Sequence, residues 1–396
     1  MYTIIFPIAL LPLRSGVAKM DRIVARDVMT QYRYEPALRV IFLENNKLVL
    51  QDPVEITIAD YPGLSIETLS WNGSLKSLPF AFPSVLLQLR RAAMSASVWH
   101  VCCSTKLFDV THLSYNVGRV FANCMRVLCL DSDPAAMLSA SGGRRRKYAA
   151  FVRERYRRWL AQVDLAIFVG AGVAENYARF SRSFVQTSSV WLEEGDLSSV
   201  EACLAKFSNF SAEPIRIFLP SRLATWKGVD DVIQALLHIG DRLPAWRLDI
   251  MGEGDQQQSL TQLAAPLGQK VRFLTPLPYG PRFFEALRSY HIVLAPTRAV
   301  EEVRIVYDAA ASGCVILHSR TSTLEAALSG LEPRWSFTPG SVASVEQALQ
   351  SAFEHREEWC RAGLAGIRFM TGRTIDEMHR ARKTAVDGLR LKCRSN

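Results

Sequence analysis

The sequence predicts an α/β protein of two domains, each a parallel sheet covered by helices. Its 396 residues exceed what one hydrophobic core usually organises. Short apolar runs alternate with helical patterns, most clearly after residue 214, which is typical of parallel sheets. The composition, 49% apolar and 21% charged, is that of a globular protein and excludes a disordered or fibrous chain.

The second half contains the clearest elements. From Val229 onward, apolar side chains recur at helical spacing until Gly240, a residue type that commonly ends helices. Strands are predicted at 215–219, 248–251, 271–274, 292–295 and 315–317. In such sheets ligands bind at the carboxyl ends of the strands, so the loops there are the first place to seek a site.

The first half predicts a second α/β domain. Its expected strands are 2–10, 37–43, 98–102, 125–130 and 165–169, and its expected helices are 17–29, 85–94, 116–124 and 147–160. A stretch rich in Ser, Ala and Glu at 198–213 suggests the boundary. We therefore expect an N-terminal domain at 1–205, a C-terminal domain at 206–375 and a final helix at 376–396, which can return to the N-terminal domain.

Cysteine usage and charge narrow the class of protein. The eight cysteines form no CxxC pair and no histidines stand at zinc-ligand spacing, so we expect reduced thiols, a cytoplasmic protein and no metal. No run of about 20 apolar residues predicts a transmembrane helix, and the apolar start fits a buried strand better than a signal peptide. The net charge of +9 favours anionic partners such as nucleotide phosphates, acidic lipids or nucleic acid.

Two loops have the chemistry to hold phosphates. In the loop 221–228, Arg222 and Lys227 stand between a strand end and a helix start, where free N–H groups also favour anions. The alternative is a solvated loop with two incidental cations. A second loop after a strand carries Gly252 and Gly254, but Gln257 occupies the third position of a dinucleotide fingerprint, so a tight turn is its simplest interpretation.

A third segment, 297–313, carries carboxylates. Glu301 and Glu302 follow a predicted strand, and Asp308 lies in the next helix. Carboxylates at strand ends can accept hydrogen bonds from sugar or ribose hydroxyls. A solvated acidic loop and a surface aspartate are the alternative.

In this order, the three elements resemble the retaining glycosyltransferases of GT-B fold, family 4 (glycosyl transferases group 1). That pattern runs from G-R-x-x-x-x-K-G through G-x-G to E-x-x-x-x-x-x-x-E before A-M-A-x-G-x-P-V, and residues 214–355 follow it with Ser221 for the first glycine. The resemblance implies two Rossmann-like, doubly wound domains facing across a cleft.

The resemblance also assigns roles. Arg222 and Lys227 would hold the donor diphosphate, Asp308 the ribose hydroxyls, and Glu302 or its neighbour Glu301 would face the donor sugar. The donor-binding glycines implied are Gly252, Gly254 and, at a helix start in the first half, Gly16. The chain departs from the pattern, because Glu302 lies six positions before Asp308 where the family has eight.

The first half departs further. The strand at 127–130 resembles one that ends in a histidine–aspartate pair, but Leu130 stands in place of the histidine. Asp131 and Asp133 match a metal-binding D-x-D motif, but they lie in the first half, which the resemblance assigns to the acceptor. Glu194-Gly195-Asp196 replaces the family's N-G-V-D.

These features predict a metal-independent transferase that moves a sugar from a nucleotide-diphosphate donor to a glycan or lipid-linked acceptor with retention. The donor is a co-substrate, and no cofactor is expected. In the front-face mechanism of the family, the leaving phosphate takes the acceptor proton. The alternatives are a catalytically impaired GT-B-like subunit that supports a partner glycosyltransferase, and a sugar-nucleotide epimerase.

The segment 144–160 holds eight basic residues and one acidic residue, Glu154. Tyr148, Val152, Tyr156 and Trp159 form one apolar stripe along it. A helix of this kind could lie on an acidic membrane surface, which suits a peripheral protein on the inner face of the membrane with a lipid-linked acceptor. It could equally pack its stripe on the first domain. No nucleic-acid-binding motif accompanies the charge, so no nucleic acid partner is expected.

Overall fold

The computed structural model describes residues 1–74, 76–104, 108–140, 147–208, 214–299 and 301–395. The chain divides into two compact units: residues 1–188 with 375–396, and residues 189–374. The chain thus passes from the first unit to the second at 188/189, which is earlier than the predicted domain boundary at 205/206. The reason is the helix Val200–Ser208, whose buried Cys203 and Phe207 belong to the core of the second unit.

The first unit is built on a seven-stranded parallel sheet. The strands of this unit are β1 (Tyr2–Leu10), β2 (Val17–Asp21), β3 (Leu38–Glu44), β4 (Pro53–Thr57), β5 (Ser65–Leu69), β6 (Val98–Cys102), β7 (Met125–Leu130), β8 (Leu165–Val169) and β9 (Phe184–Thr187). The order in the sheet is β5-β3-β1-β6-β7-β8-β9, and β2 pairs with β4 antiparallel. All five strands predicted for this half are confirmed.

Helices cover both faces of this sheet. They are α1 (Arg22–Tyr34), α2 (Leu78–Ser95), α3 (Val110–Phe121), α4 (Pro134–Ala140), α5 (Ala149–Leu160), α6 (Ala171–Tyr177) and the C-terminal α15 (Ile375–Ser395). Because strand side chains alternate between faces, the unit has two cores. One core contains side chains of α2, α3, α5 and α6, and the other contains side chains of α1 and α15.

One predicted helix of this unit begins with a strand instead. Residues 17–21 form β2, and the helix starts only at Arg22. Ser15 and Gly16 both have positive φ, 50° and 77°, and join Arg14 to Val17 in a two-residue hairpin turn. The expected helix start after Gly16 is therefore wrong.

The second unit carries a six-stranded parallel sheet. Its strands are β10 (Ile215–Pro220), β11 (Trp246–Met251), β12 (Val271–Leu274), β13 (Ile292–Ala295), β14 (Val315–Ser319) and β15 (Trp335–Phe337). Its helices are α7 (Val200–Ser208), α8 (Val229–Ile239), α9 (Gln257–Ala264), α10 (Pro281–Arg288), α11 (Ile305–Ala311), α12 (Ser322–Ala327), α13 (Val342–Glu354) and α14 (Trp359–Met370). The strand order is β12-β11-β10-β13-β14-β15, and the five predicted strands are confirmed. Both units are Rossmann-like, as expected for the GT-B fold.

Among the residues that the structure describes, no helix combines the length and apolar character needed to cross a bilayer.

The C-terminal helix α15 completes the core of the first unit. Val386 is 1% exposed within that core, and His379 is buried against Asp27 and Gln31 of α1.

Val386→Asp is expected to destabilise the first unit by about 3 kcal/mol, because it buries a charge without a partner. Leu391→Asp on the same helix replaces an exposed side chain and should change stability by less than about 0.5 kcal/mol. Urea unfolding of both variants tests this, and equal losses would contradict the packing.

Candidate functional site

The sheet of the second unit has a topological switch point between β10 and β13. The chain leaves β10 toward β11 on one side and returns to β13 on the other, so the loops after these two strands meet at the carboxyl edge. The Arg298 N–H donates to the Trp226 carbonyl at 2.9 Å. The Arg298 guanidinium also pairs with Asp230 and Asp231 of α8. The predicted phosphate-binding loop 221–228 and the predicted acidic segment 297–313 are therefore neighbours in the structure.

An ion pair joins the two loops. Lys227 Nζ lies 2.6 Å from Glu301 Oε1, and each side chain is only 15% exposed. The Thr297 hydroxyl donates to the same carboxylate oxygen at 2.7 Å, and the ammonium lies 4.3 Å from the centre of the Trp226 ring. Burial lowers the pKa of Lys227, Glu301 opposes that shift, and Arg222 adds to the lowering. The pair fixes a partly desolvated cation at the sheet edge.

Arg222 supplies a second cation beside the first. It follows the end of β10 on the same loop and is exposed. Its effect on the pKa of Lys227 places the two charges within electrostatic reach of each other. The structure therefore brings Lys227 and Glu301 into contact and places Arg222 on the same loop as Lys227, exposed to solvent.

Gly252 and Gly254, after β11, allow the backbone of their loop to approach the backbone of the loop 221–228 closely. A Cβ at Gly252 would lie 1.8 Å from the Ser221 carbonyl oxygen, and one at Gly254 would lie 2.1 Å from that of Leu223. The Leu223 N–H donates to the Glu253 carbonyl at 2.9 Å. The G-x-G loop thus supports the backbone of the loop that carries Arg222, which is a tighter constraint than the turn expected from the sequence.

Glu302 points to a different neighbour from Glu301. Its carboxylate accepts hydrogen bonds from the Ser189 N–H at 2.7 Å and the Tyr307 hydroxyl at 2.8 Å. Of the two acidic residues left open by the sequence, Glu301 is the one beside the cation Lys227.

Asp308 lies under a tyrosine. It is 2% exposed, and the Tyr279 hydroxyl donates to it at 2.8 Å. Arg304 lies 3.6 Å from the carboxylate, and its guanidinium stacks over Tyr279 at 4.5 Å and Trp191 at 5.7 Å. Burial raises the pKa of Asp308 to about 6, although the arginine and the tyrosine hydroxyl oppose the shift. Sequence reasoning missed Tyr279 and Trp191, because no local pattern links them to Asp308.

In the first unit, Gly16 stands at the exposed tip of the hairpin turn rather than at a helix start. Asp133 accepts hydrogen bonds from the Ala135 and Ala136 N–H groups at the start of α4 and from the Tyr177 hydroxyl. Its partners are those of a helix cap. Within the described ranges, no group of three or more His, Cys, Asp or Glu side chains could hold a metal ion.

The basic segment packs its apolar stripe inward. Val152, Tyr156 and Trp159 are at most 7% exposed and belong to the core beneath α5, so only Tyr148 of the predicted stripe is exposed. The arginines at 144–146 lie outside the described residues. Val152, Tyr156 and Trp159 therefore form a core face and cannot meet a membrane.

The glycine contacts give a direct test of the loop support. Gly252→Ala is expected to destabilise the second unit by at least about 2 kcal/mol, because the new Cβ meets backbone rather than a movable side chain. Gly195→Ala is the control, since a Cβ there meets nothing within 4 Å. Thermal and urea unfolding measure both. Equal stability of the two variants would contradict the close approach.

Comparisons with known proteins identify what the chain is similar to. Residues 214–355 match the family model of glycosyl transferases group 1. No curated protein sequence matches the chain.

Solved structures share the fold over nearly the whole chain. The sucrose-phosphate synthase of Thermosynechococcus elongatus superposes with a TM-score of 0.72 at 16% identity, covering 99% of this chain and 100% of its own. The Anabaena protein Alr3699/HepE, solved with UDP and glucose, gives 0.65 at 16% identity, covering 98% and 100%. A glycosyltransferase from Rickettsia africae gives 0.62 at 15%, covering 96% of each chain. The chain therefore has the GT-B fold, and its residues 214–355 are similar to glycosyl transferases group 1.

Proposed function

We propose that the chain is a retaining glycosyltransferase that moves a sugar from a nucleotide-diphosphate donor to a glycan or lipid-linked acceptor. The observation that carries the proposal is the Lys227–Glu301 pair at the switch point, with the exposed Arg222 beside it. Negative charge develops on the diphosphate as the anomeric bond breaks. Lys227, which Glu301 holds in place, and the neighbouring Arg222 stabilise that charge where it forms.

The chemistry asked of this chain is mainly positioning and charge stabilisation. Arg222 can bind diphosphate oxygens through two N–H groups, and Lys227 acts as a point charge held by Glu301. The remaining lone pairs of Glu301 can accept hydrogen bonds from sugar hydroxyls. The leaving phosphate takes the acceptor proton, so the proposal requires neither a protein base nor a metal.

In this proposal, the ribose of the donor nucleotide binds near Asp308. Ribose hydroxyls would compete there with the Tyr279 hydroxyl, which donates to one oxygen of the Asp308 carboxylate. The Anabaena structures in complex with UDP and UDP-glucose support a nucleotide-diphosphate donor for a chain of this fold.

A second candidate function is a GT-B-like subunit without donor chemistry that supports a partner. The burial of Asp308 beneath Tyr279 favours it, because the presumed ribose ligand is covered. A donor-hydrolysis assay separates the two functions. A transferase slowly releases free nucleotide diphosphate from the correct nucleotide sugar, whereas such a subunit releases none.

The cation pair predicts the binding of nucleotide diphosphates. Arg222→Ala is expected to weaken binding of the preferred member of a UDP, GDP and ADP panel at least about tenfold, and Arg222→Ala/Lys227→Ala at least about a hundredfold. Each charge-assisted contact contributes about 1.5–3 kcal/mol. Isothermal titration calorimetry measures the affinities.

The matched control is Arg247→Ala, which removes an exposed arginine near the amino end of β11, away from the carboxyl edge. It should leave nucleotide affinity unchanged. Lys227→Ala leaves the largely buried Glu301 carboxylate without its cation, so this substitution can also reduce stability. Melting temperatures recorded without ligand therefore separate a loss of binding from a loss of folding. Unchanged affinity in a folded Arg222→Ala variant would refute the assignment.

Asp308 predicts a pH dependence of stability. Its folded-state pKa of about 6 exceeds the ordinary aspartate value of 3.8, so the folded protein binds the proton first as pH falls. Wild type should therefore gain stability relative to Asp308→Asn between pH 7.5 and pH 5, by about 1.4 kcal/mol. Urea unfolding of both proteins at the two pH values measures the difference. Parallel pH profiles would show that Asp308 ionises as it does in water.

A further inference from the structure

Three helices of the first unit form one outward surface. Side chains of α2, α3 and α5 share a single core on one face of the sheet. Tyr115 of α3 stacks on Trp159 of α5 with ring centres 4.1 Å apart. Since all three helices cover the same sheet face, their outer sides point away from it in the same direction. We refer to α2, α3 and α5 together as the outer helix layer.

Large apolar side chains are exposed on this layer. Phe80, Leu87 and Met94 of α2 are 90%, 43% and 64% exposed. They are spaced seven residues apart, which places them along one side of the helix. The layer adds Val120 of α3, Phe151 of α5 and Tyr148 just before α5, each at least 47% exposed. Exposed apolar side chains gathered in this way usually mark a contact surface.

The same layer carries almost unopposed positive charge. Exposed arginines lie on all three helices, whereas the acidic residue within these helices is Glu154. The exposed arginines are Arg90, Arg91, Arg119, Arg153 and Arg158. Glu154 already pairs with Arg158 at 3.0 Å and Arg157 at 3.9 Å. The layer therefore presents cations to an external anion.

The opposite layer, α1 and α15, is built differently. Its arginines and lysines are largely paired within the layer, as Arg380 is with Asp376 and Lys383 with Asp387. Of its described residues, Leu391 alone is a large apolar side chain that is exposed. A general excess of charge therefore does not explain the outer helix layer.

We propose that the outer helix layer docks on a lipid bilayer rich in anionic phospholipids. Phe80, Leu87 and Met94 enter the headgroup region, and the arginines bind lipid phosphates. A bilayer suits the layer better than a nucleic acid does, because the contact combines cations with apolar side chains spread over separate helices. This inference depends on the proposed function in one respect: docking on a bilayer would give a transferase access to a lipid-linked acceptor.

Vesicle sedimentation of the full chain tests this. Binding is expected to vesicles of phosphatidylcholine with one third phosphatidylglycerol, and not to phosphatidylcholine alone. Phe80→Ser/Met94→Ser should weaken binding at least about tenfold through lost apolar burial. Arg91→Gln/Arg158→Gln should weaken it about 25-fold, from about fivefold per cation. These side chains are exposed, so the variants should fold, which circular dichroism verifies.

Leu391→Ser and Arg247→Gln are the controls, since they change exposed residues on the opposite layer and in the second unit. No binding to anionic vesicles, equal binding to neutral vesicles, or equal losses in variants and controls would each overturn the proposal. Nucleotide affinity is measured on the same samples. Failure of vesicle binding with intact nucleotide binding contradicts the docking surface alone, and the converse contradicts only the donor site.

Discussion

The burial of Lys227 beside Glu301 is the constraint on which the second unit's site depends. An ammonium removed from water favours its neutral form unless an anion compensates, and Glu301 provides that anion from a loop 74 residues away. The pairing is possible because β10 and β13 are neighbours, so that the loops after both strands end at one edge. Gly252 and Gly254 then hold the loop of Arg222 in place by admitting backbone where a side chain would collide.

Three carboxylates of one short segment have three different environments. Glu301 is bound to a cation, Glu302 to the backbone of Ser189 and the Tyr307 hydroxyl, and Asp308 to Tyr279 in a buried position. Their chemistry differs accordingly. Glu301 combines a charge partner with a place at the switch point, whereas burial raises the pKa of Asp308 toward neutrality. Residue type and spacing alone could not separate these roles.

The sequence predicted the elements whose signals are local. Five of the six strands of the second unit are short apolar runs that the sequence predicts, and the structure confirms them, whereas the three-residue strand β15 is not predicted. At Ser15 and Gly16 the sequence predicts a helix start where the structure has a hairpin turn, because residues 17–29 have helical periodicity that continues into α1. The contact of Tyr279 with Asp308 was missed for another reason. It depends on the packing of a loop against a helix 29 residues later, which no period in the sequence encodes.

The outer helix layer shows why periodicity misleads about surfaces. The apolar stripe of α5 is regular because it packs against a regular sheet, and Val152 and Tyr156 are buried there. What remains for a partner is the other side of the helix, where Phe151 stands among arginines without a pattern. The same holds for α2, whose exposed Phe80 and Met94 belong to one surface only once α3 and α5 are packed beside them. A contact surface of this kind is a property of the helix layer, so it becomes visible when the helices are assembled and not in any one of them.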